Sequence, residues 1–198
     1  MPAWNPARLK KVPYHWNDII PLFEREVALL RQTFDPSVPP ASTAPDLPGL
    51  AGLLYGDPGL RRVKAADPIT ALALHWPDDD PERGRGWSAE WHGFLIWPRE
   101  GRVTLRVHSD QSVRLEVRGE TLLDGTGFPG TREVSISAGK GETVSLTLTY
   151  DHPSGSHSFL DIQWDGSGSG FSTVPATALR HSEKDARWAS SAVVMSEL

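Results

Sequence analysis

Apolar and polar residues alternate in three successive segments between Trp87 and Gly119. The apolar positions are, in order, Trp87, Ala89, Trp91, Gly93, Leu95 and Trp97; then Val103, Leu105 and Val107; then Val113, Leu115 and Val117. Because successive side chains of a strand leave opposite faces, this period of two predicts three strands with one buried face each. Turn residues at 98–101 and 109–111 separate the segments, so the pattern predicts an antiparallel β meander.

Similar alternation recurs on both sides of this stretch. Further strand candidates lie at 50–55, 69–76, 121–123, 134–138, 144–150 and 160–164. Short strands with turn signals between them are typical of an all-β fold, an antiparallel sandwich or barrel. The parity of Trp87, Trp91, Trp97 and Trp164 assigns these rings to the core, where their burial would supply much of the stabilising free energy.

Two helices are predicted outside the β region. After a capping Asn17, five apolar residues recur at helical spacing: Ile20, Phe23, Val27, Leu30 and Phe34. This amphipathic helix would pack on the β domain, dock a protein partner or pair with its own copy. A proline-rich linker, 35–48, follows it. Ser182 and Asp185 resemble a capping box and predict a C-terminal helix to about Met195. The predicted parts are therefore a helical arm and linker (1–48), a β domain (49–180) and a tail (181–198).

Composition narrows the classes of function. The chain of 198 residues has no cysteine, so it has neither a disulfide framework nor a thiolate metal site. Its net charge of −5 argues against a nucleic-acid partner. We expect no signal peptide, because no apolar region precedes a cleavage site, and no membrane insertion, because no uncharged apolar run reaches about 20 residues. These features leave the compartment undecided.

The order of several motifs resembles the domain family named after anthrax protective antigen. The matching pieces are Trp87-x-x-x-Trp91-x-Gly93-x-Leu95, the turn containing Pro98 and Gly101, Ser109-Asp110, Arg114-Leu115-x-Val117-x-Gly119, and the flanking stretches 49–55, 138–141, 150–151 and 160–164. The resemblance covers 49–180 and implies a β-barrel or sandwich module. Such modules occur in toxins, bacterial glycosidases and yeast adhesins, and many of them bind carbohydrate.

The resemblance also implies a calcium site. In sugar-binding adhesins of this family, two neighbouring aspartates hold a calcium ion that contacts sugar hydroxyls. Here Asp110 matches the first aspartate, Gln111 stands in place of the second, and Asp151 matches an oxygen ligand from another loop. A neutral amide is a weaker ligand than a carboxylate, so the substitution should weaken the site. Alternatively, Asp110 is a turn former that bonds its own backbone.

Two further rim candidates come from the loops. Asp124 adds a carboxylate to an oxygen-rich loop, and His152 lies beside Asp151, where its ring could touch a ligand. Catalytic motifs are missing from the sequence: it has no nucleophile elbow, phosphate-binding glycine loop or zinc spacing. His108, Ser109 and Asp110 make a poor triad because neighbours on a strand point to opposite faces.

The leading hypothesis is therefore a non-catalytic, lectin-like carbohydrate-binding module. The ligand contacts would be Asp110, Gln111, Asp151, His152 and Asp124, and the calcium ligands Asp110, Gln111 and Asp151. A structural or protein-interaction domain, with the N-terminal helix docking a partner, is the alternative. A third reading is an accessory piece of a larger glycosidase or glycosyltransferase.

Overall fold

The computed structural model describes residues 42–77, 86–126, 128–153 and 158–196. Two antiparallel sheets pack face to face, as the sequence predicts for a sandwich, and the described chain has one α-helix. The predicted N-terminal helix, with the partner docking assigned to it, lies outside the described residues, as does the acidic loop 78–80. The predicted three-part division of the chain therefore stays a prediction.

Among the described residues, the larger sheet has eight strands in the order β1-β13-β5-β10-β7-β8, with β2 also paired to β5 and β3 paired to β2. Its strands are β1 (Leu47–Pro48), β2 (Ala51–Tyr55), β3 (Val63–Ala66), β5 (Trp87–Ile96), β7 (Ser112–Val117), β8 (Glu120–Asp124), β10 (Thr143–His152) and β13 (Leu179–His181). The two long strands β5 and β10 pair along their whole length at its centre.

The smaller sheet has five strands in the part of the chain that the structure describes, in the order β12-β11-β6-β9, with β4 also paired to β11. Its strands are β4 (Ala73–Trp76), β6 (Gly101–Ser109), β9 (Gly130–Ala138), β11 (Ser158–Trp164) and β12 (Ser172–Thr173). A short 3₁₀ turn, Ala176–Ala178, precedes β13. The outer strand β9 is contacted from the other sheet by Arg118, whose guanidinium donates a hydrogen bond to the Ser137 carbonyl at 3.2 Å.

The predicted meander is wrong. Strands β5 and β7 lie in the larger sheet, whereas β6, between them in sequence, lies in the smaller one. Both turns therefore cross from sheet to sheet, and β7 pairs with β10 rather than with β6. Alternation identifies the face of a strand that is buried, but it does not say which strand lies beside it. His92 of β5 and His108 of β6 accordingly lie in different sheets.

The core confirms the predicted parity of the tryptophans. Trp87, Trp91 and Trp97 are at most 2 % exposed, and Trp164 is 6 % exposed. The Trp91 indole also donates a hydrogen bond to the Asp67 carbonyl at 2.8 Å, so its polar atom is satisfied inside the core. Gly52 faces this ring so closely that a Cβ there would lie 2.1 Å from Trp91 Cδ1.

The C-terminal helix α1 (Glu183–Ser196) begins at the predicted capping box. The Ser182 hydroxyl accepts a hydrogen bond from the Asp185 amide at 3.2 Å, and the Asp185 carboxylate accepts one from the Ser182 amide at 2.9 Å. The helix packs on the outer face of the larger sheet, against Leu53 and Tyr55 of β2. It thus covers a face that would otherwise expose apolar side chains.

Candidate functional site

The predicted site residues lie at one end of the sandwich, which we call the rim. It consists of residues 57–60, the β6–β7 turn at 109–112, the β8–β9 loop described at 124–126 and 128–130, and the end of β10 at 151–152. Strand register brings these segments together, since Asp151 lies between Ser88 of β5 and Ser112 of β7. The β6–β7 turn and the β8–β9 loop are joined by a hydrogen bond from the Ser112 hydroxyl to the Gly125 carbonyl, 3.3 Å long.

Asp110 ties the two sheets together at the rim. Its Oδ1 accepts hydrogen bonds from the Tyr150 hydroxyl of β10 and from the Phe159 amide of β11, each 2.9 Å long. Burial and the neighbouring carboxylate of Asp110 raise the pKa of Tyr150, so the phenol stays protonated as a donor. The predicted alternative, a bond from Asp110 to its own turn, is replaced by bonds to residues far away in sequence.

The turn itself is closed by Ser109 instead. The Ser109 hydroxyl donates to the Gln111 carbonyl at 2.9 Å, and the Gln111 amide points back at the same hydroxyl at 3.2 Å. Ser109 is buried, whereas Gln111 is partly exposed. Gln111 therefore lies at the surface of the rim, where a ligand can reach its side chain.

Asp151 and Asp124 are the other two carboxylates that the sequence predicts for the site. Asp151 Oδ1 accepts a hydrogen bond from the Gly59 amide at 3.0 Å, which joins the 57–60 segment to β10. Asp124 Oδ1 accepts bonds from the Thr126 hydroxyl at 2.7 Å and the Thr126 amide at 3.0 Å. These bonds lower the pKa of the exposed Asp124 carboxyl, which is therefore an anion at neutral pH.

His152 is placed differently from the other predicted contacts. Its side chain is 2 % exposed and stacks on Trp87 with ring centroids 5.6 Å apart. Neither ring nitrogen has a hydrogen-bond partner in the described part of the chain. The ring belongs to an aromatic cluster that also contains Trp76 and Tyr150, so its predicted contact with a ligand finds no support in the geometry.

The rim makes an incomplete cation site. Calcium takes six to eight oxygen ligands, and carboxylate charge determines much of its affinity. Asp110 and Asp151 each already use Oδ1 for protein hydrogen bonds, and Gln111 adds no charge. No group of three or more His, Cys, Asp or Glu side chains in the described segments is arranged to hold a metal ion. The donor set is thus a poor fit to calcium, and calcium binding stays a prediction.

Sequence reasoning missed the partners of these residues. Nothing near Asp110 in sequence identifies Tyr150 as the residue that donates a hydrogen bond to it. The neighbours Tyr150 and Asp151, at the end of an alternating strand, are only predicted to lie at one end of the sandwich. Trp76, at the end of β4, packs on Trp87 and Tyr150 at centroid distances of 4.8 and 5.1 Å.

The protein is an antiparallel β-sandwich whose loops are joined by hydrogen bonds at one end. A family model, the PA14 domain, matches residues 48–177, and the chain belongs to this family. This confirms the resemblance found in the sequence. No curated protein matches the chain significantly.

Several solved structures have the same fold. The anti-sigma factor domain-containing protein from Clostridium clariflavum superposes with a TM-score of 0.61 at 22 % identity, over 71 % of this chain and 50 % of that one. This chain thus spans about half the length of that protein. The PA14 sugar-binding domain from an RTX adhesin gives a TM-score of 0.54 at 16 % identity, over 69 % of this chain and 99 % of that one.

A third neighbour is the epithelial adhesin 6 A domain from Candida glabrata, solved in complex with Galβ1-3GlcNAc. It gives a TM-score of 0.54 at 10 % identity, over 72 % of this chain and 92 % of that one. These likenesses concern the fold. The structure also has no helix, in the segments it describes, that is long and apolar enough to span a bilayer.

Proposed function

We propose that this PA14 domain is a non-catalytic module that binds carbohydrate at the rim. The observation that carries the proposal is the convergence of Gln111, Asp124 and Asp151 on loops joined at one end of the sandwich. Their carboxylate and amide oxygens accept hydrogen bonds from hydroxyl groups, which is the chemistry that a sugar requires. Solved PA14 neighbours that bind sugars support the same class of ligand.

The side chains divide into two roles. Asp110 and Ser109 position the turn, because their polar atoms already hold other strands. Asp124, which is exposed, and Gln111, which is partly exposed, are the groups that contact the sugar. This division explains how the rim can bind a glycan without a fully formed calcium site.

A glycan array with the whole chain tests the proposal. We expect binding that the substitution Asp124→Ala weakens and the substitution Asp46→Ala leaves unchanged, since Asp46 is exposed but lies on the strand-free segment before β1. A parallel array with a calcium chelator decides whether calcium contributes.

Silence on every glycan, with the protein folded, would contradict the proposal and favour the protein-interaction alternative. Equal loss in both variants would place the binding elsewhere than at the rim. Loss of glycan binding only in the presence of chelator would show that calcium takes part directly, despite the incomplete set of ligands.

A further inference from the structure

A groove of about 120 Å³ lies on the outer face of the larger sheet, away from the rim. Its floor is built from outward side chains of β5, β10 and β7, and one wall is Asp185 of α1. The register places His92 beside Thr147 and Thr147 beside Glu116 in one row across three strands. Phe94 and Ser145 form the next row. We propose that this groove is a second binding site, for a single neutral sugar residue.

The groove is held in shape by contacts between the helix and the sheet. The Trp188 ring of α1 stacks on the His92 ring with centroids 4.0 Å apart and planes 10° from parallel. His92 in turn contacts Glu90 at 2.8 Å, and Glu90 accepts a hydrogen bond from the Tyr55 hydroxyl at 3.2 Å. The wall residue Asp185 is fixed by its capping bonds to Ser182. The site is therefore preformed, and preorganisation lowers the cost of binding.

The family match ends at residue 177, before α1 begins at Glu183. The floor of the groove thus belongs to the PA14 domain, whereas its wall is an addition to that domain. The site is also separate from the rim. Phe94 lies six residues along β5 from Ser88, which pairs with the rim residue Asp151, and at about 3.4 Å per residue this is roughly 20 Å.

The chemistry of the lining fits hydroxyl groups. Ser145 and Thr147 offer hydroxyls that both donate and accept, and the carboxylates of Glu116 and Asp185 accept. Arg114 binds Oε1 of Glu116, and Ser182 binds Oδ2 of Asp185, so the other oxygen of each carboxylate is outside these bonds. Phe94 adds an apolar surface for the C–H groups of a sugar ring. An anion is disfavoured, because none of the described lining residues is Lys or Arg.

The size of the groove limits the ligand to one ring. Its volume is well below the roughly 300 Å³ of the smallest drug-sized pockets. A glycan would insert one residue and leave the remainder in solvent. The ligand class rests on the proposed carbohydrate-binding function, but the place does not, since it shares no residue with the rim.

Amide chemical shifts of the whole chain, titrated with galactose, N-acetylglucosamine and glucuronic acid, test this site. We expect the neutral sugars to shift the signals of His92, Phe94 and Thr147 at millimolar concentrations, and glucuronic acid to leave them unchanged. The substitution Thr147→Tyr fills the groove and should weaken binding at least about tenfold. Thr104→Tyr is the matched control, because Thr104 is a partly exposed threonine on the outer face of the other sheet.

Absence of shifts at the groove, or equal binding by Thr147→Tyr, would overturn the inference. Glu116→Ala provides a second variant if the tyrosine prevents folding. Asp124→Ala, which weakens binding at the rim, should leave the shifts at the groove unchanged. In the wild type, shifts at the groove without shifts at the rim would uphold the inference and contradict the proposed function. Shifts confined to the rim would overturn the inference and support the proposed function.

Discussion

One oxygen atom of the Asp110 carboxylate connects a turn to two strands. It accepts a hydrogen bond from a buried phenol of β10 and from a backbone amide of β11, while its own residue lies in the β6–β7 turn. Hydrogen bonds to a charged group are about twice as strong as neutral ones. This single side chain therefore helps to hold the β6–β7 turn against β10 and β11.

Replacing Tyr150 by Phe removes the phenol donor and keeps the ring. We expect a loss of about 1.5–3 kcal/mol of unfolding free energy, the range for a hydrogen bond to a charged group. Urea denaturation measures it. Tyr55→Phe is the control, since its hydroxyl also bonds a carboxylate, Glu90, but at the longer distance of 3.2 Å. A smaller loss for Tyr150→Phe than for Tyr55→Phe would contradict this account.

The hydrogen bonds of Glu90 predict that part of the free energy of unfolding is lost in acid. Hydrogen bonds from His92, and then from Tyr55, lower the pKa of Glu90 below that of a free glutamate, about 4.3. A lowered pKa in the folded state adds stability that is present above the unfolded value and is lost as the pH falls through the folded value. In Glu90→Gln this term is absent.

The difference in urea midpoint between the wild type and Glu90→Gln should therefore narrow as the pH is lowered from 6 to 3. Glu120→Gln, at an exposed position on β8, serves as the control for the loss of a glutamate. If the difference in urea midpoint between the wild type and Glu90→Gln stays constant over this range, the hydrogen bonds from His92 and Tyr55 do not stabilise the charged Glu90.

The identity of Asp110 as a rim residue could be predicted, because an aspartate between two alternating runs has to lie in a turn. Its partners could not, because Tyr150 and Phe159 are 40 and 49 residues away in sequence. His152 shows the opposite error: its parity is that of Leu148 and Tyr150, which are buried, so the alternation of β10 itself indicated an inward ring.

At the scale of elements, α1 packs on the larger sheet and supplies one wall of the groove. Local signals sufficed to predict this helix, since the capping bonds between Ser182 and Asp185 involve residues three apart. The surface on which it packs was not predictable, because the apolar outer positions Leu53 and Tyr55 belong to a strand in which every residue is buried. A strand that is buried on both faces shows no alternation of apolar and polar residues in its sequence.

Trp188→Ala should loosen α1. Truncation of a fully buried aromatic ring costs about 3–5 kcal/mol, and Trp188 is only partly buried, so we expect about 1–3 kcal/mol. Hydrogen exchange should then speed up in α1 before it does in β10. Met195→Ala is the control, since that side chain is 54 % exposed on the same helix. Equal exchange in the two variants would show that the contact with His92 does not anchor the helix.

At the scale of the whole molecule, the strand pattern was predictable and the pairing was not. Alternation located the long strands and gave the core tryptophans, because burial of one face is a local property of a strand. The order of strands depends on contacts such as that between Gly93 and Leu146, 53 residues apart in the chain. No local pattern specifies such a pair, which is why consecutive strands were expected to be neighbours.

The contact of Arg118 with Ser137 has a consequence beyond the single molecule. An outer strand with free amides and carbonyls is a template on which a strand from another chain can grow. The guanidinium of Arg118 occupies one carbonyl of β9 and is itself held by Glu142. We therefore expect this contact to oppose the pairing of β9 with a strand of another copy of the chain.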